Sequence, residues 1–191
     1  MSAEASPDGA GKGLSGLRVL AHPLRLRMLS LLTGSSFSAM ELSRELGISQ
    51  PLASYHLRQL HAAGVIELDE VRARRGGRER RFRYRPGVQA STSDATTNQE
   101  DHALLGQAIC VELQRRVRHA AKGATRLGVD AELWVDPTEW QTALDAFKAA
   151  SNNLHERARP PRSAGTVRVS VSAFLFAMDD EPDEADNPER S

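Results

Sequence analysis

The segment ELSRELGISQPLASYHLRQLHAAGVIEL, residues 41–68, constrains the fold of this chain more than any other. It reads as helix, tight turn, helix and the start of a strand, and its boundaries are spelled out by cap residues. Ser38 followed by Glu41 is a capping box, in which hydroxyl and carboxylate each accept from a backbone N–H the helix cannot satisfy itself. Phe37 and Leu42 occupy the hydrophobic staple positions on either side. Gly47 can adopt the left-handed conformation that closes the first helix. Ser49 can cap the second, and Pro51 is tolerated in its first turn.

On a helical wheel the second helix has two faces. Ala53, Leu57 and Leu60, with His56 at the border, form an apolar face that must pack on preceding helices. Gln50, Pro51, Ser54, Tyr55 and Arg58 form a neighbouring arc with nothing apolar to hide, bearing donors and acceptors suited to base edges and phosphates. Upstream, a short helical piece over 14–21 precedes HPLRLRMLSLLTGS. There Pro23 suits a first turn, and Leu24, Met28, Leu31 and Leu32 form a buried stripe ended by Gly34. Downstream, GVIELDEVRARRGGRERRFRYRP predicts a β-hairpin, with strands over 65–72 and 79–85 and a tip at 74–78. Eight arginines lie between Arg72 and Arg85, with Glu79 the sole acid among them.

The balanced total of 25 basic and 25 acidic residues hides a division. Residues 14–88 carry 13 Lys/Arg against 6 Asp/Glu, whereas residues 89–191 carry 11 against 17. The first block therefore calls for an anionic partner, nucleic acid before a membrane surface, because its basic residues are not on an amphipathic helix. No apolar run approaches the roughly 20 residues that span a bilayer. The first residues, MSAEASPDGAGKG, lack the basic and apolar regions of a signal peptide. With Cys110 the single cysteine, an intrachain disulfide is impossible and a cytoplasmic location is expected. Cys110 itself reads as buried packing.

Beyond a polar linker, residues 100–127 predict a long helix with Leu105, Ile109, Leu113 and Val117 as a packing ridge. Then ELWVD reads as a short strand and 137–157 as a helix with Trp140, Leu144, Phe147 and Leu154 inward. TVRVSVSAFLFAM reads as a strand alternating through Val167, Val169, Val171 and Ala173, and both tryptophans, Trp134 and Trp140, as core. The acidic end, DDEPDEADNPERS, is expected to be disordered.

AHPLRLRMLSLL, ELSRELGISQPLASYHLRQLHAAGVIEL and the arginine hairpin, in that order, resemble the winged helix-turn-helix of arsenic-repressor-like (ArsR/SmtB) bacterial regulators. The resemblance covers residues 14–86, under half of the chain. It implies a mainly α fold with a β-hairpin wing, followed by a long dimerisation helix and a small α+β C-terminal region. It also implies a homodimer that binds double-stranded DNA, usually as a repressor that blocks promoters by occupying them. On that pattern the recognition helix is 50–63, with Ser49, Gln50, Ser54 and Tyr55 nearest DNA and Arg58 at the edge. The wing would present Arg74, Arg75, Arg78 and Arg80 to the backbone, and Leu105, Ile109, Leu113 and Val117 would meet the partner subunit.

The chain departs from the metal-sensing members. The helix before the turn, SAMELSREL, has no cysteine, and Asp101, His102 and His119 lack close ligand spacing, so no metal site and no cofactor is expected. No catalytic pairing or phosphate loop is visible, so the chain does not read as an enzyme. The resulting layout is a disordered leader (1–13), the DNA-binding domain (14–88), a linker (89–98), a dimerisation and effector region (99–178) and an acidic tail (179–191). The sequence names no effector, neither small molecule nor protein. The alternative is a winged-helix module that binds RNA or a protein partner, for which Phe82 and Tyr84, on one face of the return strand, are the aromatic pair within the hairpin.

Overall fold

The computed structural model describes residues 16–74, 77–84 and 99–178. The leader, the linker and the acidic tail expected from the sequence lie outside the described residues, as does Arg75 at the hairpin tip.

Helix α1 (Gly16–Leu20) leads into α2 (Pro23–Gly34), whose N-cap is His22. The His22 Nδ1 accepts from the Leu24 N–H at 3.1 Å, and Pro23 occupies the first turn, where its missing N–H costs nothing. A two-residue strand, β1 (Phe37–Ser38), runs into α3 (Ala39–Leu46). The turn over 47–49 leads to α4 (Gln50–Ala62). The hairpin follows as β2 (Glu67–Arg74) and β3 (Gly77–Arg83), displaced by two residues from the spans read in the sequence. The sheet is antiparallel in the order β1-β3-β2. Phe37 pairs with Phe82 and Ser38 with Arg81, so β1 ties the wing to the start of α3.

One core serves these elements. Met28 and Leu32 of α2, Leu42 of α3, Ala53, Leu57 and Leu60 of α4, Val65 and Ile66 just before β2, and Phe82 of β3 are all buried. Each helix contributes the apolar stripe its spacing requires, and full burial of such side chains contributes roughly 1.5–3 kcal/mol apiece. Phe82 reaches this core from the middle strand, which is why β3 cannot slip by one residue without exposing it.

Helix α5 (Gln99–Val117) packs on α1 and α2 of its own chain through Asp101, Leu105, Ala108 and Glu112. It ends ten residues short of the predicted 127, where the chain passes through turns around Gly123. Because the inward stripe runs through Leu105 and Ala108, Cys110 lies on the outer side and is exposed, not buried as expected.

The C-terminal region departs most from expectation. Helix α6 (Pro137–Glu156) forms within the predicted span, with the Asp136 side chain accepting from the Thr138 N–H as its N-cap, but it buries no residue. Trp140 and Leu144 are half-buried, while Phe147 and Leu154 are 52% and 51% exposed. Neither strand-patterned segment forms a strand, and Trp134, expected in the core, is 89% exposed. Alternation alone does not make a strand, since a strand exists only when a neighbour accepts its main-chain hydrogen bonds.

Candidate nucleic-acid interface

The α3–turn–α4 unit is assembled from local signals. The Ser38 Oγ accepts from the Glu41 N–H at 3.3 Å, and Glu41 Oε2 accepts from the Ser38 N–H at 2.8 Å. Gly47 takes φ 65° and ψ 38°, a conformation that favours glycine, and the Ile48 N–H returns to the Ser43 carbonyl at 3.0 Å. The Ser49 Oγ then accepts from the Leu52 N–H at 3.4 Å, which starts α4 within two residues of the turn.

Helix α4 is two-faced as its sequence demands. Ala53, His56, Leu57 and Leu60 are buried, while Ser49, Gln50, Tyr55 and Arg58 are exposed and Ser54 is half-buried. The structure thus gathers all five predicted recognition residues along one side of a single turn and helix. Tyr55 is 48% exposed, with its ring centroid 5.2 Å from that of His56 in an edge-on arrangement.

The wing is less uniformly cationic than its composition suggests. Arg78 and Arg80 are exposed, and the Arg80 guanidinium sits 5.9 Å above the Phe82 ring. Arg74 is the last residue of β2, at the tip. Arg72 is engaged with Glu70 at 2.7 Å. Arg81 is buried and turned inward, donating to both Glu41 carboxylate oxygens and to the Ser36 carbonyl. Burial pushes the Glu41 carboxyl up, but hydrogen bonds from Arg81 and from the Ser38 backbone outweigh it and leave it below the usual carboxylate range. Nothing in the linear pattern separates Arg81 from its neighbours, because its partner lies 40 residues away.

A second group beneath α4 escaped sequence reasoning. The His22 and His56 rings lie 4.8 Å apart, and His56 Nδ1 is buried without a hydrogen-bond partner. Burial, with the adjacent His22 and Arg25 charges, holds the His56 imidazole down at about 4. His22 is also lowered, by burial first and Arg25 second. His56 is therefore neutral at neutral pH, a packed histidine and not a base reader.

The residues expected at a subunit contact divide. Leu105 is buried inside its own chain and Ile109 half-buried, while Leu113 and Val117 are 42% and 62% exposed. The aromatic pair that would serve an RNA-stacking surface faces inward instead: Phe82 is in the core and Tyr84 packs against it. Among the described residues no cluster of three or more His, Cys, Asp or Glu could hold a metal ion. Asp101 pairs with Arg18 at 3.4 Å, and His119 lies over the Arg115 carbonyl. No helix among the described residues is long and apolar enough to cross a membrane.

A family profile described as a helix-turn-helix domain matches residues 20–69. The biofilm growth-associated repressor of Xylella fastidiosa is 39% identical over 51 residues, which cover 27% of this chain and 45% of that protein. The chain thus matches under half the length of that relative. An uncharacterized HTH-type transcriptional regulator of Methanocaldococcus jannaschii is 33% identical over 69 residues, 34% of this chain and 73% of that protein. Among solved structures, a possible transcriptional regulator for arsenical resistance is similar at 27% identity, covering 57% of this chain and 99% of that one, with a TM-score of 0.32. The transcriptional repressor BigR of Xylella fastidiosa is similar at 24% identity over 52% of this chain and 82% of that one, with a TM-score of 0.30.

Proposed function

Because this chain belongs to the ArsR/SmtB-like winged helix-turn-helix transcriptional regulators, we propose that it is a sequence-specific repressor that occupies an inverted-repeat operator as a homodimer. The observation that carries this reading is the exposed row of Gln50, Tyr55 and Arg58 on α4, opposite a face sealed into the core. A helix of 13 residues is roughly 20 Å long and about as wide as the major groove, so it can lie there without deforming the duplex. Gln50 can bond adenine N6 and N7 together, and Arg58 can bond guanine O6 and N7. Each such pair discriminates against the wrong base by roughly 1–3 kcal/mol.

Arg78 and Arg80 act on the phosphates beside the groove, where each neutralised phosphate releases condensed cations. These contacts supply affinity and register, while the α4 contacts supply choice. One reading head makes too few base contacts to pick out an operator alone. Two, related by a two-fold axis, read half-sites centred about 34 Å apart, one turn of the duplex. Leu113 and Val117, exposed on α5 along with Val111, offer apolar surface for that pairing. Repression then needs no chemistry, only occupancy of a promoter, which accords with the name of the Xylella relative.

Selection of bound duplexes from a random library, followed by fluorescence anisotropy, tests this. An enriched inverted repeat bound at least about 1,000-fold more tightly than unrelated duplex is the expected result. Equal affinity for every duplex, or tighter binding of single-stranded RNA, overturns it.

A further inference from the structure

Residues 166–178, TVRVSVSAFLFAM, carry the alternation of a β-strand without a ladder. Beyond the bond from the Thr166 N–H to the Ser163 carbonyl, at 3.3 Å, their main chain makes no backbone hydrogen bond among the described residues. Val167 and Val169 are 83% and 67% exposed. A row of unpaired N–H and C=O groups along β-branched side chains is a strand edge open to a neighbour.

The segment is held near both ends. Upstream, Arg162 donates to both carboxylate oxygens of Glu45 on α3, at 3.1 and 2.7 Å. Downstream, the Phe174 ring lies against α5, 6.4 Å from the His102 ring, and a Cβ on Gly106 would stand 3.5 Å from it. Arg168 lies near enough to Arg116 of α5 to add to the burial that lowers that guanidinium's pKa. The segment therefore runs beside α5, the same helix that exposes Leu113 and Val117. A partner that covers the outer side of α5 also reaches this strand edge.

Charge and pattern narrow that partner to a second copy. Arg168 is the one charged residue between Thr166 and Met178, so a copy can approach if the two arginines are kept apart. An antiparallel pairing centred on Ser170 sets Val169 opposite Val171, Val167 opposite Ala173, and Arg168 opposite Ser172. It joins the valine faces, satisfies the main chain and keeps Arg168 from its own copy, all about a two-fold axis. Resting on the dimer reading above, we propose that residues 167–173 pair with the same residues of a second copy, forming an antiparallel two-stranded ladder centred on Ser170 that adds a contact between subunits beside α5.

Directly opposed residues in such a ladder have Cα atoms about 4.5–5.5 Å apart, within disulfide reach. The test uses the full chain with Cys110→Ser and Ser170→Cys, oxidised with copper phenanthroline, beside a Cys110→Ser, Ser163→Cys control. Sedimentation measures association, and hydrogen exchange of the unsubstituted chain follows amides 167–173 across the dissociation range. The proposal expects covalent dimer from Ser170→Cys at least roughly tenfold faster than from Ser163→Cys. It also expects amide protection that rises with protein concentration. A dimer by sedimentation with no preferential crosslink overturns the ladder and leaves the dimer reading standing. A monomer at every concentration overturns both. Protection of 167–173 that is independent of concentration places the neighbour within the chain and overturns the ladder.

Discussion

Arg81 of β3 and Glu41 of α3, 40 residues apart in the chain, are joined by hydrogen bonds from one guanidinium nitrogen to both carboxylate oxygens, that to Oε2 at 2.6 Å. Glu41 is simultaneously half of the capping box that starts α3. One carboxylate therefore fixes the start of the helix-turn-helix and the angle at which the wing leaves it. The Arg81 guanidinium, donating also to the Ser36 carbonyl, is buried between α3 and the wing and is not presented to a phosphate.

Replacing Arg81 by Ala leaves Glu41 partly buried with its charge uncompensated. Breaking a fully buried pair costs about 3–5 kcal/mol. Glu41 keeps a third of its side chain in water, so a loss of about 2 kcal/mol is expected, read as a lower urea midpoint at unchanged slope. The same change in Arg80, which is exposed, should move the midpoint little.

On DNA the order reverses. Replacing Arg78 and Arg80 together by Ala should weaken binding to operator and unrelated duplex alike, and flatten the log–log salt slope by roughly 0.9 for each phosphate left without its arginine. Gln50→Ala should instead relax preference at one base pair per half-site by roughly 1–3 kcal/mol and leave the salt slope as it was. Anisotropy titrations between 50 and 200 mM salt, roughly the range in which such slopes are resolved, separate the two effects.

The neutral His56 makes stability depend on pH. Its imidazole titrates at about 4 in the folded chain against an ordinary value of 6.5, so between these values the unfolded chain binds more protons. Stability is therefore full above pH 6.5 and falls as pH drops toward 4, by up to about 3 kcal/mol. Protonation would set a new charge beside His22 and Arg25. His56→Phe should remove most of the difference between urea midpoints measured near pH 7 and pH 5, and an undiminished difference would assign the acid sensitivity to other groups.

Gly34, the last residue of α2, is where the chain after α6 packs most closely on α2. A Cβ at this position would stand 2.3 Å from the Arg159 carbonyl oxygen, and backbone on both sides cannot yield as a flexible side chain would. Gly34→Ala should cost about 1–3 kcal/mol as overpacking. It should also free the turn after α6, so that trypsin cuts faster at Arg157 and Arg162, while the Arg159–Pro160 bond stays resistant in either chain. Arg162→Ala removes an exposed ion pair with Glu45 and should cost less than about 1 kcal/mol.

What could be read from the residues alone was whatever is settled within one or two turns of chain. The capping box at Ser38 and Glu41, the left-handed Gly47, the Ser49 cap and the buried stripe of α4 all obey rules acting over a few residues, and each is found as read. The inward turn of Arg81, the pairing of His22 with His56 and the outward position of Cys110 depend on partners far away in the chain, which no local pattern encodes. The same limit explains the C-terminal third. Period-two alternation marks residues 166–178 as fit for a strand, but pairing needs a neighbour in space, and among the described residues none pairs with them.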